Sequence, residues 1–339
     1  MLRFFTSRFS SLGRQPQWFA AGIGALVLYI LGALLLGIHW SQPPELQPTN
    51  DTPIPNTFSD QTVTLGNATV ATLNFIIETL LEKPGGYLAN DITPPGLWLD
   101  NMPHWEFGAL VQARDLARAL RKDFSRSQSQ STEDSDLVVA EPALNYDSSK
   151  WFPSAETSYL KAIVALNSYQ LRLAMPAEDA QVFARADNLR NYLADVETRL
   201  GSLSQRLSAS VGQARLDTDL VKSLKAAQSL DDLSEKMIKT PWLEIDDVFF
   251  EARGSAWALI QILRAIEQDF GSVLENKNAL VSLRQVIREL ETTQQTVWAP
   301  TILNGSGFGI FANHSLVMAS YISRAHTAIS DLRILLAQG

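Results

Sequence analysis

Residues 182–207 read VFARADNLRNYLADVETRLGSLSQRL, and apolar residues recur along them at alternating spacings of four and three. An apolar period of about 3.5 residues is typical of helices that pack along a left-handed, coiled-coil-like seam. Pro176, Glu178 and Asp179 precede the run and are typical of a helix start. The series consists of Val182, Ala186, Leu189, Leu193, Val196, Leu200, Leu203 and Leu207.

Three more series with the same heptad spacing follow, within residues 245–273, 280–290 and 311–336. Shorter helical patterns cover about 66–83, 104–126 and 155–175, and no stretch shows the two-residue alternation of a strand between turn signals. The sequence therefore predicts an all-α fold, an elongated bundle of long antiparallel helices. Each seam could close on helices of the same chain or on a second copy, so a homo-oligomer stays open.

The N-terminus carries a candidate membrane segment. Residues 18–40 contain no Asp, Glu, Lys or Arg, and Trp18 and Trp40 stand at the two ends. Twenty helical residues span about 30 Å, the thickness of the hydrocarbon core, and tryptophans are typical of its interfaces. A cleaved signal peptide has a shorter apolar region and a small-x-small cleavage site, and Gly37-Ile-His-Trp-Ser41 is a poor site. The pattern favours an uncleaved signal anchor.

Charge on the two sides of this segment predicts its orientation. The tail, residues 1–17, carries Arg3, Arg8 and Arg14 and no acid, whereas the first charged residue after the segment is Glu45. By the positive-inside rule, the tail stays in the cytoplasm and the rest is exported. We therefore expect a single-pass protein of a bacterial inner membrane, with its N-terminus cytoplasmic and most of the chain periplasmic.

Composition sets further limits. The chain has 28 Lys and Arg against 36 Asp and Glu, and three arginines lie in the tail, so residues 41–339 carry a net charge of −11. Such a body would be repelled by phosphate backbones, which argues against nucleic-acid binding. The absence of cysteine excludes a disulfide scaffold, a cysteine-ligated metal site and a cysteine nucleophile.

A proline-rich spacer follows the membrane segment. Residues 41–61 contain five prolines, which disfavour a helix and predict extended backbone, or a disordered tether, before an extracytoplasmic domain at 62–339. Within that domain, three long connections are predicted at 84–106, 127–153 and 299–310. Long connections in a compact domain are functional or mobile.

Several unusual strings carry a family resemblance. They are Gly86-Tyr-Leu, Pro94-Pro-Gly-Leu-Trp-Leu-Asp-Asn-Met-Pro103, Trp105-Glu-Phe-Gly108, Asp123-Phe-Ser-Arg-Ser-Gln-Ser129, Arg185-Ala-Asp-Asn-Leu-Arg190 and the run from Asp195 to Ala209. Over nearly its whole length the chain resembles the bacterial family of unknown function DUF2333. The resemblance implies a proteobacterial, inner-membrane-anchored protein. It implies no catalytic or binding residue, because no activity is assigned to that family.

The 84–106 connection holds the best candidates for chemistry. Asp91, Asp100 and Glu106 lie among aromatic residues, and carboxylates beside aromatic platforms are typical of glycan-processing sites. Trp98 and Trp105 could instead contact a partner. The alternative is structural: prolines stiffen the loop, its indoles pack into the bundle, and Asp100 or Asn101 caps the following helix.

A stripe of arginines follows this connection. Arg114, Arg118 and Arg121 share one helical face and could bind an acidic partner segment or an anionic headgroup. The alternative is a solvent-exposed helix face whose arginines form ion pairs with acidic residues one turn away on the same helix.

Metal and cofactor signatures are weak. His104 and the acids of residues 244–251 could be imagined as ligands, but no His-x-x-x-His or Glu-x-x-His spacing supports them, and acids at a helix start favour its dipole. Gly305-Ser-Gly-Phe-Gly309 lacks the lysine of a phosphate loop. The sequence therefore predicts no metal and no cofactor.

The leading hypothesis is a non-enzymatic binding or scaffolding component of the cell envelope, with an unidentified envelope protein or glycan as partner. The alternative is an envelope glycan-processing enzyme that uses the carboxylates of 84–106. A third class, a carrier of lipid-like ligands, requires a cavity between amphipathic helices.

Overall fold

The computed structural model describes residues 17–46, 64–127, 131–175, 179–216, 235–299, 301–306 and 310–338. Nearly all of the predicted tail and residues 47–61 of the predicted spacer lie outside these ranges. Pro176, Glu178 and the last three residues of the glycine-rich run 305–309 lie outside them as well.

The described chain is a helical fold with one small ribbon, which confirms the prediction of an all-α fold. Helices α1 to α5 are Gln17–Trp40, Asn67–Glu82, Asn101–Ala119, Ser135–Leu144 and Ala155–Leu173. Helices α6 to α10 are Ala186–Ser208, Ile245–Asp269, Gly271–Asn276, Leu280–Thr292 and His314–Ala337. Strands β1, Gln213–Leu216, and β2, Glu235–Ile238, pair antiparallel with Gln213 opposite Ile238. The ribbon was not predicted, because four residues are too few for a clear alternation.

Helices α3 and α7 form the centre of the bundle and run parallel. At their starts His104 contacts Asp247, at 3.3 Å, whereas beyond the end of α3 the ring of Phe124 lies 5.1 Å from that of Phe270. Helix α7 is buried on almost all sides, as expected for a helix surrounded by others. The pair departs from the predicted antiparallel arrangement, because a long chain segment separates the two helices.

The heptad seam of α6 closes on α10 of the same chain. Leu189, Leu193 and Leu200 are buried, and Glu197 pairs with Arg333 while Ser204 donates to the carbonyl of Ala319. These contacts show that α6 and α10 run antiparallel, as predicted. Intrachain packing therefore uses the seam that could have served a second copy.

The helix termini gather at two ends of the bundle. The starts of α3, α7 and α10 meet at one of them, together with the ends of α2, α6 and α9. The contacts that establish this are His104–Asp247, Phe249–His314, Lys83–Glu106, Arg206–Glu251 and Arg253–Gln294. We call it the anchor end, because α1 attaches there. Phe124 and Phe270 lie at the opposite end, as does the bond from Lys277 to the carbonyl of Gln338.

Helix α1 contains the segment Ala21–Trp40, which is long and apolar enough to cross a bilayer. An anchor and a signal sequence both fit this length and composition. Its second half contacts the body, whereas residues 21–28 are exposed. Ala33 and Gly37 are buried, and a Cβ at Gly37 would lie 3.7 Å from Pro95 and Leu99. The Tyr29 hydroxyl donates to the carbonyl of Pro94 at 3.5 Å. The small residues thus permit close packing within the chain.

Residues 41–46 lie on the body and do not form the predicted tether there. The indole nitrogen of Trp257, on α7, donates to the carbonyl of Glu45 at 3.2 Å. Residues 41–46 also line a cavity of about 700 Å³, together with the start of α7 and the chain that follows α9. The chain therefore engages the body directly after α1.

Two other boundaries differ from the sequence prediction. Helix α4 lies inside the predicted 127–153 connection, where Asp134 caps it by accepting from the backbone of Asp136 and Leu137. Helix α6 begins at Ala186 and not near Pro176, because the described residues just before it are extended. The backbone N–H of Phe183 donates to the carbonyl of Phe124 at 2.7 Å.

Candidate functional site

Glu106 holds the start of the 84–106 connection against α3. Its side chain is fully buried and lies 2.5 Å from the ammonium of Lys83. The backbone N–H groups of Leu88 and Ala89 donate to its two oxygens at 2.9–3.1 Å. A carboxylate that is fully buried and held by a cation and two backbone donors is not accessible to a substrate. Glu106 is therefore structural in this arrangement.

Burial dominates the protonation of this carboxyl. It raises the pKa of Glu106 from 4.5 to about 7, although Lys83 and the backbone N–H groups of Leu88 and Ala89 act in the opposite direction. A perturbed pKa is often a mark of catalysis, but buried structural pairs produce it too.

The other two candidate carboxylates have separate surroundings. Asp100 caps α3 by accepting from the backbone of Asn101 at 2.9 Å, as the structural alternative predicted. Asp91 packs against Gly96, and burial, followed by the charge of Glu156, raises its pKa. Because Glu106 is buried, the three do not form one accessible catalytic group, and the glycan-processing hypothesis gains no support from this geometry.

The two tryptophans of the connection have opposite environments. Trp105 is fully buried, and its ring lies 5.1 Å from that of Trp257. It cannot contact a partner, so the prediction of a binding role for Trp105 is corrected. Trp98 is half exposed.

The arginine stripe is paired, but not along one helix alone. Arg121 bonds Glu133 and Glu141, both at 2.7 Å, and with Lys122 it lowers the pKa of Glu133 to about 2. Arg114 donates to two carbonyl oxygens at the end of α4, those of Leu144 and Tyr146. The ion pairs of Arg121 therefore connect the end of α3 to α4. The two bonds of Arg114 go to carbonyl oxygens, so no carboxylate neutralises its charge through them.

A groove runs along α3 between α4 and α6. It joins cavities of about 630 and 250 Å³, which share Phe107, Val111 and Arg199. We call it the arginine groove, since four of its lining side chains are Arg114, Arg118, Arg199 and Arg206.

Two of these arginines share one buried carboxylate. Asp115 accepts from Arg199 at 2.8 Å and from Arg118 at 3.1 Å, and its side chain is almost inaccessible. Arg118 also reaches the exposed carboxylate of Asp195. Both arginine side chains remain nearly half exposed, so they present N–H groups to the groove. The groove thus offers cationic donors beside the apolar surface of Phe107.

Sequence reasoning found Arg114 and Arg118 but missed Phe107, Arg199 and Arg206. Phe107 precedes Arg114 by seven residues on α3, so the spacing that defines the arginine stripe could have included it. Arg199 and Arg206 come from α6, far along the chain. Their spacing on α6 was visible, but no local pattern tells which helix that face will meet.

The residues considered above as metal ligands, His104 and the acids of 244–251, come together only in part. His104 and Asp247 lie 3.3 Å apart, and burial raises the pKa of Asp247 while His104 acts against it. Across the ranges given above, no three His, Asp or Glu side chains are placed to hold a metal ion.

A further cavity bears on the lipid-carrier hypothesis. About 340 Å³ lies between the start of α10 and the chain after α9, lined by Phe249, Trp298, His314, Met318 and Tyr321 among others. Its size is at the lower end of small-molecule sites, which span roughly 300–1,000 Å³. That hypothesis stays a prediction.

Comparison with known protein families finds one that matches the chain. The model of a family described as an uncharacterized protein conserved in bacteria, DUF2333, matches residues 13–339. The chain belongs to this family. The resemblance seen in the sequence strings is thereby confirmed. No curated protein and no solved structure matches the chain significantly. Membership of DUF2333 assigns no activity, so any functional argument rests on the geometry above.

Proposed function

We propose that the protein is a single-pass inner-membrane protein that binds an acidic segment of another envelope protein, without catalysis, in the arginine groove. The observation that carries the proposal is the convergence of Arg114, Arg118 and Arg199 on one groove of a body that is otherwise strongly acidic. The basic tail, the apolar helix α1 and the acidic body support an uncleaved anchor and a periplasmic body.

The chemistry of the groove suits a carboxylate-bearing chain. Guanidinium groups bind carboxylates through two parallel hydrogen bonds, and Arg118 and Arg199 share the carboxylate of Asp115, while Arg118 also bonds the exposed Asp195. Phe107 and Val111 add an apolar surface for side chains between the acids. An acidic segment would oppose the charge of Arg114, whose bonds here are to carbonyl oxygens, and would use the N–H groups that Arg118 and Arg199 still expose.

The test is direct binding of a defined probe. The full chain is placed in phosphatidylcholine nanodiscs, and fluorescence polarisation follows a fluorescein-labelled peptide rich in Glu and Leu. We expect replacement of both Arg118 and Arg199 by Gln to raise the Kd about tenfold or more, since hydrogen bonds to charged groups contribute roughly 1.5–3 kcal/mol each. Added salt should weaken binding by the wild type.

The matched control replaces Arg284 and Arg324 by Gln. These arginines are similarly exposed and pair with Glu267 and Glu289, away from the groove. Equal weakening in both double variants would mean that only bulk charge matters, and the proposal would fail. If the groove variant loses its circular-dichroism melting transition, Val111→Glu provides the test, since it places a negative charge on the groove surface. Binding to phosphatidylglycerol nanodiscs without peptide binding would also overturn the proposal.

A further inference from the structure

The exposed aromatic residues of the body lie at one end of the molecule. Among the tryptophans of the described body, Trp105 and Trp257 are in the core, whereas Trp98, Trp151, Trp242 and Trp298 are 50%, 61%, 76% and 92% exposed. Phe152 and Phe311 are exposed as well, at 79% and 72%. In the described part of the chain after α1, no other Trp or Phe has half of its surface exposed.

Each of these residues belongs to a connection at the anchor end. Trp98 precedes α3, and Trp242 precedes α7. Trp151 follows Lys150, whose carbonyl accepts from Asn90 in the 84–106 connection at 3.1 Å. Trp298 lies between α9 and α10, where its neighbours Val297 and Ala299 line the cavity that residues 41–46 also line. We call Trp98, Trp151, Trp242, Trp298, Phe152 and Phe311 the aromatic face.

The position of α1 relates this face to the bilayer. Tyr29, which contacts Pro94, stands eleven residues before Trp40, or about 16 Å along the helix. Residues 92–99 thus lie beside the second half of α1, and they carry no charge. Ile92 and Leu97 are exposed there, as are the side chains of α1 around Leu34 and Leu35. The apolar surface of α1 continues onto the body.

The direction of the chain after α1 gives the orientation of the bundle. From Gly37, beside Pro95, the chain passes the start of α7 and reaches Trp257 in the fourth turn of that helix. The chain after α1 therefore runs along the bundle away from the anchor end, and the free half of α1 projects from that end. The aromatic face would therefore be directed toward a bilayer that α1 crosses.

Water is an unfavourable environment for six exposed aromatic side chains at one end of the body. Soluble monomers rarely expose large contiguous apolar patches, and tryptophan is enriched at membrane interfaces, where its ring contacts acyl chains and its N–H remains hydrated. The acids Asp91 and Asp100 bound the uncharged run 92–99 and limit how deeply it can enter.

We propose that the aromatic face lies on the bilayer that α1 spans, with residues 92–99 within the leaflet beside α1 and the other aromatic residues at its interface, so that the body is held against the membrane and not at the end of a tether. The occupant of this surface is lipid of the leaflet on the body's side. The proposal rests on the anchor of the proposed function remaining uncleaved, and it is independent of the arginine groove.

Nitroxide quenching of single labels tests this placement. The chain contains no cysteine, so Trp98→Cys, Trp242→Cys and Trp298→Cys can each carry one environment-sensitive NBD fluorophore in the full chain. The protein is reconstituted in phosphatidylcholine vesicles with and without nitroxide-labelled lipid. We expect blue-shifted emission and several-fold stronger quenching at all three positions than at Val281→Cys. Val281 is 77% exposed at the opposite end.

A label at Leu35→Cys separates the two ways of failing. If that label on α1 is quenched while the three face labels behave like Val281→Cys, the anchor stands and the membrane-facing role is overturned. If the Leu35 label is not quenched either, the anchor itself fails. Blue-shifted face labels without lipid quenching would mean contact with protein, such as a second copy, and would also overturn the inference.

Discussion

Glu106 shows how burial decides the role of a single residue. In the sequence it is one acid among aromatic residues, in a segment whose composition is typical of a glycan-processing site. In the folded protein it is buried beside Lys83 and accepts hydrogen bonds from the backbone N–H groups of Leu88 and Ala89. A buried pair of this kind fixes the conformation of a loop, and removal of one partner leaves an uncompensated charge.

The raised pKa of Glu106 predicts a pH dependence of stability. The carboxyl has a pKa of about 7 when folded and 4.5 ordinarily, so the folded state holds the proton more tightly. The associated stabilisation is fully present below 4.5 and is lost as the pH rises through about 7. We expect the wild type to lose free energy of unfolding between about pH 5 and pH 8, measured by urea denaturation in detergent.

Glu106→Gln removes the titrating group, so the difference between wild type and variant should itself change with pH. Glu275→Gln, at an exposed position of α8, is the matched surface control. An unchanged pH dependence in Glu106→Gln would contradict the assignment of this effect to Glu106.

At the scale of elements, the crossing of α3 and α7 depends on two glycines. A Cβ at Gly108 would overlap the carbonyl oxygen of Glu251, and a Cβ at Gly254 would overlap that of Trp105. The helix backbones therefore touch directly, which allows the starts of both helices to meet at the anchor end. A side chain at either position would push apart the pair on which the other helices pack.

Gly254→Ala is expected to destabilise the protein by about 3 kcal/mol or more, because the clash is with backbone and cannot be relieved by a rotamer change. Thermal or urea unfolding of the full chain measures the loss. Gly271→Ala, where a Cβ would meet nothing within 4 Å, is the control and should change stability by less than about 1 kcal/mol. Similar losses in the two variants would refute the close-packing explanation.

At the scale of the whole molecule, the aromatic face and the arginine groove occupy different surfaces. Apolar α1 and the aromatic face share the anchor end, whereas the arginine groove begins near that end at Arg206 and continues along the side of the bundle between α4 and α6. This separation would let one protein sit on a membrane and bind a partner laterally.

Orientation across the membrane is tested by fusions after Gly339. We expect alkaline phosphatase fused there to be active and green fluorescent protein fused there to be dark, because the positive-inside rule places the body in the periplasm. A fusion to the tail should give the reverse. Fluorescence without phosphatase activity at the C-terminus would place the body in the cytoplasm and restrict partners to cytoplasmic proteins.

The helical class, the apolar segment at α1 and the seam of α6 could be predicted from the sequence, because each depends on a short-range period or on composition. The sequence also predicted a cap at Asp100 or Asn101, since capping is local, and Asp100 is the cap in the structure. The sequence could not reveal α4, whose pattern is short, or the start of α6, where Arg185 is extended and the backbone N–H of Phe183 donates to the carbonyl of Phe124.

Which helices meet could not be predicted from the sequence and is seen in the folded chain. The convergence of Arg118 with Arg199, the enclosure of Glu106 by Lys83 and the gathering of four tryptophans at one end all join residues from separate parts of the chain. Helix periodicity tells which face of a helix is apolar, but not which neighbour covers it. The identity of that neighbour separates Trp105 in the core from Trp98 at the surface.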